Sequence, residues 1–311
     1  MGITGTDVTK EVGQMVLADD NFATIIAAVK EGRRVWDNLR KILVFNLPVN
    51  LAQGLTVFFS MAIEGLGDVP LTAIQVLYVN MITSVTMGLM LAAEPPEADV
   101  MNKAPRLPNK RLLGKFVMWR CLFVASTMII AIIGVFEWNK TWPKAYTTQQ
   151  RRAEAFTLLI FMEVAYSFNC RFLKSSSLTL RLFYGNVWAY ASVAVVTALQ
   201  ILVLYVPGLS NRVFNVSGLD GYQWARVLVI SVVFFLLVEF MKVTIDVLIF
   251  KTFKRVLKEK GWLRTPELAN RQPADAKVYS SMRNVEVVVP PLPREEEAQP
   301  AEEKKAAGSS S

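Results

Sequence analysis

Three polar side chains share one face of an apolar stretch that is long enough to cross a bilayer. The stretch covers about residues 71–92, and a helical crossing needs about 20 residues. Asn80, Thr83 and Ser84 follow i, i+3 and i+4 spacing, which places them on one side of a helix. Amide and hydroxyl oxygens bind hard cations, and inside hydrocarbon such groups must face protein or a wet cavity. The stretch therefore predicts part of a cation site.

The preceding apolar stretch, about residues 42–63, repeats this arrangement. Asn46, Asn50 and Gln53 follow i, i+4 and i+7 spacing and again lie on one side of a helix. Two neighbouring helices would therefore present oxygen ligands to each other inside a membrane. The alternative is that these groups only hydrogen-bond the two helices together, and the spacing is compatible with both.

A backbone carbonyl and a carboxylate add to these oxygen groups. Pro48 has no N–H, so it leaves the carbonyl of Val44 without its helical partner and available as a ligand. Glu163 lies in the middle of a later apolar stretch, with Ser167 one helical turn further on. An ionisable residue at that depth in a membrane indicates a functional role.

The composition excludes several other kinds of site. The chain has 311 residues, 53% of them hydrophobic, and no histidine, which excludes His-ligated zinc and His-based catalytic triads. Its net charge of +8 comes with Lys and Arg clustered beside apolar stretches, so we predict no nucleic-acid partner. Cys121 and Cys170 both lie in predicted spans, and this does not indicate a disulfide scaffold.

Six apolar stretches predict a mainly α membrane protein, a bundle of six transmembrane helices in a lipid bilayer. Basic clusters precede the first stretch, separate the second from the third, and follow the fourth and the last. By the positive-inside rule, the protein is multi-pass with both termini in the cytoplasm. The predicted spans cover about 42–63, 71–92, 115–136, 153–172, 187–206 and 226–250.

Segments of different composition flank the predicted bundle, residues 42–250. Before it, residues 1–41 predict a soluble segment in which a helix from Asp7 to Gln14 precedes a strand at Met15–Ala18. Gly32 is expected to interrupt the following helix, which then continues into the first span. After the bundle, residues 251–311 predict a basic juxtamembrane segment and a disordered polar tail.

Seven short sequence motifs, taken together, resemble one known family. They are Met1–Glu11, Met15–Phe22, Glu31–Arg33, Asn38–Lys41, Pro70–Asn80, Glu94–Met101 and Ala104–Arg106. The family is that of the P-type cation-transporting ATPases, which includes the sarco/endoplasmic reticulum calcium pump and related bacterial cation pumps. The first four motifs resemble the end of its phosphorylation domain, and the others resemble a transmembrane helix and the cytoplasmic loop after it. The resemblance implies an incomplete α/β phosphorylation-domain remnant, followed by the last six of ten spans.

The resemblance also implies a function, namely the C-terminal membrane portion of an ATP-driven pump that works through a phosphoenzyme. The expected partners are the lipid bilayer, the transported cation and the missing N-terminal portion of the pump. The candidate ligands of the transported cation, carried over from matching positions of the family, are Asn50, Gln53, Asn80, Thr83, Ser84 and Glu163.

Two of these positions differ from the calcium pump and alter the expected cation. Gln53 stands where that pump has a Glu, and Ser84 stands where it has an Asp. Glu163 is then the one carboxylate among the candidate ligands, whereas calcium is usually bound by several. A monovalent cation or a proton needs less compensating charge, and Glu163 could be the group that gains and loses the proton.

Two motifs of the family are absent from the sequence. These are the Asp-Lys-Thr-Gly-Thr motif, which carries the phosphorylated Asp, and the Gly-Asp-Gly-x-Asn-Asp magnesium motif. We therefore predict no catalytic and no cofactor-binding residue in this chain, which is expected to be inactive alone; ATP and Mg²⁺ belong to the intact pump. Asp7, Asp19 and Asp20 are predicted to serve in helix caps and turns.

The sequence leaves a second function open. Its abrupt opening inside a domain predicts a fragment of a longer pump. The alternative is a non-enzymatic six-span membrane protein, a truncated pump that acts as a regulator or as a passive pathway.

Overall fold

The regular structure of the chain is helical wherever it is described. The computed structural model describes residues 1–62, 68–96, 100–102, 114–141, 146–173, 177 and 184–244, and no strand occurs among them. The predicted basic segment and disordered tail at 251–311 lie outside the described residues. The principal helices are α1 (Asp7–Val12), α2 (Ala23–Ala62), α3 (Ala73–Ala92), α4 (Lys115–Thr141), α5 (Thr148–Arg171), α6 (Val187–Tyr205) and α7 (Gly221–Thr244).

Five helices of the described part are long and apolar enough to cross a membrane. They are α2, α3, α4 from Val117, α6, and α7 as far as Lys242. They correspond to five of the six predicted spans. Helix α4 continues to Thr141, five residues beyond the predicted end at 136. A short helical turn, Pro207–Leu209, and a π-helical turn, Ser210–Phe214, follow α6 and lead towards α7.

The remaining predicted span, 153–172, forms α5 but is not among these five apolar helices. Helix α5 carries charged residues along its length, including Glu154, Glu163 and Arg171. It packs against α2, α3, α4, α6 and α7, and most of its side chains are buried by them. Because protein surrounds α5, its polar groups find partners in neighbouring helices and need not face lipid.

The predicted strand at Met15–Ala18 is wrong. This segment is irregular and ends in a turn at Ala18, and its backbone makes one hydrogen bond to the start of the chain, from Gly2 N to Leu17 O at 2.6 Å. A strand requires a paired neighbour, and the described residues provide none. Helix α1 also ends at Val12, two residues before the predicted end. The α/β character of the remnant therefore stays an expectation.

Helix α2 runs without a break from Ala23 through the first predicted span, so the predicted interruption at Gly32 is wrong. An interior glycine weakens a helix by only about 1 kcal/mol relative to alanine, and 40 residues of regular hydrogen bonding outweigh this. The side chain of Asn21 accepts a hydrogen bond from Ala23 N at 2.9 Å and caps the start. The helix is about 60 Å long, twice the thickness of the hydrocarbon core.

A buried ion pair joins four helices at one end of the bundle. The Glu94 carboxylate, just beyond α3, accepts from Arg171 Nε at 3.0 and 3.2 Å. It also accepts from Asn186 Nδ2, immediately before α6, at 2.9 Å. The Glu94 carbonyl accepts from Asn38 Nδ2 of α2 at 2.8 Å. All four residues are buried, so the Glu94 junction fixes α2, α3, α5 and α6 relative to one another.

We expect Glu94→Ala to lower the free energy of unfolding by about 3–5 kcal/mol, because it removes the carboxylate partner of a buried guanidinium. Reversible unfolding in mixed detergent micelles measures this loss. The control is Glu31→Ala, whose exposed pair with Arg34 at 2.9 Å should contribute less than about 1 kcal/mol. Equal losses for the two variants would show that the junction does not hold the helices together.

Candidate cation site

Three of the six candidate ligands meet at one carboxylate in the middle of the bundle. Gln53 Nε2 of α2 donates to Glu163 Oε1 at 2.8 Å. Thr83 Oγ1 of α3 lies 2.5 Å from Glu163 Oε2 and donates to it. All three side chains are buried. The packing of α2 and α3 against α5 therefore brings together residues that are 30, 80 and 110 positions apart in sequence.

The charge of Glu163 is not matched by a basic side chain in the described part of the chain. Both of its carboxylate oxygens interact with neutral groups, an amide and a hydroxyl. A buried carboxylate is unfavourable when ionised unless an opposite charge is close to it. A bound cation or a proton would balance this negative charge. An ion-binding site requires such an unbalanced charge.

The other three candidates do not contact Glu163. Ser84 Oγ donates to Asn80 Oδ1 at 3.4 Å, and both residues are half-buried on α3. Asn50 is exposed on α2. The spacing correctly places Asn80, Thr83 and Ser84 on one helix, but the bundle turns only Thr83 towards the carboxylate.

The carbonyl of Val44 is not free, contrary to the prediction from Pro48. Tyr166 Oη donates to Val44 O at 2.9 Å. Tyr166 is fully buried, and its ring lies 6.1 Å from that of Phe45. The side chain from α5 thus supplies the hydrogen bond that the proline backbone cannot, and this carbonyl leaves the set of candidate ligands.

A second buried carboxylate on α5 was not singled out from the sequence. Glu154 Oε2 accepts from Asn139 Nδ2 at 2.8 Å, Gln223 Nε2 at 2.9 Å and Arg226 Nη2 at 2.8 Å. Nine residues separate Glu154 from Glu163, which is two and a half helical turns, so the two point to opposite sides of α5. Arg226 neutralises Glu154, and the cluster joins α4, α5 and α7. The sequence did contain a signal for Glu154, because this residue is a charged group within the predicted span 153–172.

Glu239 and Lys242 of α7 pair with each other at 3.1 Å. The prediction that Asp20 serves in a turn is confirmed. Asp20 stabilises a turn at the start of the chain, where it accepts from Thr4 Oγ1 at 2.7 Å, Thr4 N at 2.9 Å and Ile3 N at 3.1 Å. These hydrogen bonds, that from the Thr4 hydroxyl above all, lower the pKa of Asp20 to about 2.

Comparison with known proteins connects this helix bundle to one family. The family described as "Cation transporting ATPase, C-terminus" matches residues 68–244, from the approach to α3 to the end of α7. The probable cation-transporting ATPase F of Mycobacterium tuberculosis is 36% identical over 231 residues, 74% of this chain and 25% of that protein. The calcium-transporting ATPase of Bacillus subtilis is 34% identical over 237 residues, 75% of this chain and 26% of that protein.

The apolar helices and this match define an integral membrane protein. The chain belongs to the family of P-type cation-transporting ATPases and is part of their C-terminal membrane region, as its motifs predict. Cation-transporting ATPase pma1 of Synechocystis is likewise similar, with 38% identity over 237 residues, 72% of this chain and 25% of that protein. The chain spans about a quarter of the length of the curated relatives it matches.

We expect Tyr166→Phe to lower the free energy of unfolding by about 1–3 kcal/mol, because it leaves the buried Val44 carbonyl without a donor. Unfolding in mixed micelles measures the change. Tyr78→Phe is the matched control, since the Tyr78 hydroxyl is buried and has no partner among the described residues.

The variant Pro48→Ala extends this test, because it restores an N–H that can donate to Val44 O. In that background Tyr166→Phe should lose less stability than in the original chain. If the loss is the same in both backgrounds, the hydroxyl does not substitute for the missing helical hydrogen bond.

Proposed function

We propose that this chain is the C-terminal membrane portion of an ATP-driven P-type cation pump and forms part of its ion-binding site and pathway. The observation that carries this proposal is the meeting of Gln53, Thr83 and Glu163 inside the bundle of a cation-transporting ATPase family member. ATP and Mg²⁺ act in the intact pump on the N-terminal portion. The protein partners are that portion and the surrounding bilayer.

In this proposal α5 also crosses the membrane and completes the set of six predicted spans. Its central position supports this, because a helix enclosed by five membrane helices is at membrane depth whatever its own apolarity. Residues 1–41 would then be the end of the phosphorylation domain and the stalk, 42–250 the bundle, and 251–311 a cytoplasmic extension. Both termini would lie in the cytoplasm, as the basic clusters beside the spans favour.

The site is proposed to extend beyond the three residues that meet. Asn50, Asn80 and Ser84 line α2 and α3 beside Gln53 and Thr83 and carry further oxygen atoms. The exposure of Asn50 is consistent with a surface that the missing N-terminal portion of the pump covers. Calcium-transporting relatives suggest calcium as the ion, but the single carboxylate, Glu163, favours a monovalent cation or a proton.

Ion binding would require a small local rearrangement. In the present arrangement the Gln53 amide points an N–H group at Glu163. A cation beside the carboxylate would repel that N–H group, and a half-turn of the amide would direct the carbonyl oxygen to the ion instead. Thr83 can keep its bond to Glu163 and offer its oxygen lone pairs to the same ion.

We expect Glu163→Gln to reduce the apparent cation affinity of the complete pump at least about tenfold, because it removes the negative charge of the site. Cation-dependent ATP hydrolysis and transport in membrane vesicles measure the effect. The control is Glu137→Gln, which removes a carboxylate of α4 that pairs with Lys140 at 2.7 Å, away from the site. Unchanged affinity in Glu163→Gln would place the site elsewhere.

The size of the native protein separates the pump from the alternative, a six-span regulator or passive pathway. An antibody against residues 294–311 should detect a membrane protein far larger than 34.8 kDa, because the pump carries further domains on the same chain. A single band near that mass, without cation-dependent phosphorylation by ATP, would favour the non-enzymatic alternative.

A further inference from the structure

One buried threonine of α2 has a hydroxyl group without a hydrogen-bond partner. Within helices, threonine usually donates to the carbonyl four residues earlier. Thr86, Thr127 and Thr157 do so here, at 2.6–2.8 Å. Thr56 is fully buried, and its Oγ1 has no partner among the described residues. A buried hydroxyl in this state has given up its hydrogen bonds to water without gaining another partner, so it is free to bind a ligand.

The same side of α2 carries a second unpartnered oxygen. Gln53 donates to Glu163 through Nε2, but its Oε1 is buried and accepts no hydrogen bond from the described residues. Gln53 and Thr56 are three residues apart, which places their side chains one helical turn apart on the same face. Gln53 and Thr56 therefore each present a buried oxygen, without a donor among the described residues, on the face of α2 from which Gln53 bonds to Glu163.

We propose that Thr56 Oγ1 is a further ligand of the transported cation, which it binds together with Gln53 Oε1, Thr83 Oγ1 and the Glu163 carboxylate. This inference rests on the proposed function, and it adds a residue that the spacing of Asn46, Asn50 and Gln53 did not include. A cation would supply the positive partner that all of these oxygens lack. Once the Gln53 amide has turned so that Oε1 faces the ion, neither oxygen of α2 needs a hydrogen-bond donor.

The ligand set also defines the class of cation. Gln53, Thr56 and Thr83 are neutral, and Glu163 contributes one negative charge. A monovalent metal cation makes the site neutral, whereas a divalent ion would leave a net positive charge buried among the helices. A proton needs only Glu163 and gains nothing from two further oxygen acceptors. The four ligands together therefore fit a monovalent metal ion such as sodium or potassium.

Direct cation binding to this chain within the complete pump, in lipid nanodiscs, tests this inference, because other parts of the pump contribute to the site. The probes are radioactive sodium, rubidium as a potassium substitute, and calcium, each measured by equilibrium dialysis. Thr56→Val keeps the shape of the side chain and removes the hydroxyl, and Thr56→Ser keeps the hydroxyl. Thr127→Val is the matched control, because the Thr127 hydroxyl donates to Phe123 O at 2.8 Å, in α4.

We expect sodium or rubidium to bind, and Thr56→Val to weaken that binding at least about tenfold, which corresponds to about 1.4 kcal/mol. Thr56→Ser and Thr127→Val should bind like the original chain. If Glu163→Gln abolishes binding but Thr56→Val leaves it unchanged, Thr56 is not a ligand and the proposed function stands. Calcium binding without sodium or rubidium binding would overturn the monovalent assignment.

If the proposed cation site itself is wrong, the binding results differ from those expected when only the assignment of Thr56 is wrong. In that case the original chain binds none of the three cations, or Glu163→Gln binds as tightly as the original chain. Gel filtration and circular dichroism report whether each variant is folded. If Thr56→Val is misfolded, Thr56→Ala provides the same test, and wild-type affinity in a folded Thr56→Ala variant overturns the inference.

Discussion

The buried carboxylate of Glu163 is the constraint on which the rest of this bundle depends. Its two oxygens interact with side chains from two other helices, α2 and α3. Hydrogen bonds weaken steeply when distance or angle changes, so three helices must keep their relative positions for these contacts to persist. The Tyr166–Val44 hydrogen bond near the centre and the Glu94 junction at the end of the bundle hold the same helices. Both supporting contacts lie on one side of the site, towards the end of the bundle that carries Glu94.

Helix α5 separates two kinds of buried carboxylate on its opposite sides. Glu154 has an arginine and two amides as partners and joins α4 and α7 as a neutral cluster. Among the described residues, Glu163 has only neutral partners, and it faces α2 and α3. A neutralised carboxylate has no need of an ion, whereas an unbalanced one does. This difference in partners, rather than burial, distinguishes a structural group from a candidate ion ligand.

Much of the fold could be predicted from the sequence because membrane helices consist of long apolar runs of residues. Five predicted spans match helices that can cross a membrane, and the face formed by Asn80, Thr83 and Ser84 follows from helical periodicity alone. The errors concern features that depend on distant partners. Among the described residues, Met15–Ala18 has no neighbouring strand to pair with. The hydrogen bonds of the long helix α2 outweigh the weakening effect of Gly32. The Val44 carbonyl, which Pro48 leaves without a helical partner, accepts a hydrogen bond from Tyr166 of another helix.

The sequence by itself determined the membrane class of the protein, its family and the residue types available for binding a cation. These properties are local, since they depend on apolar length, helical spacing and motifs. Only the tertiary structure decided which of these residues meet. It joined Gln53 and Thr83 to Glu163, left Asn50 on the surface, and gave Thr56 no hydrogen-bond partner within the described part of the chain. The reason is that helix packing sets the rotation of each helix about its axis. Helical periodicity in the sequence shows which residues share a face, but it does not show which neighbouring helix that face contacts.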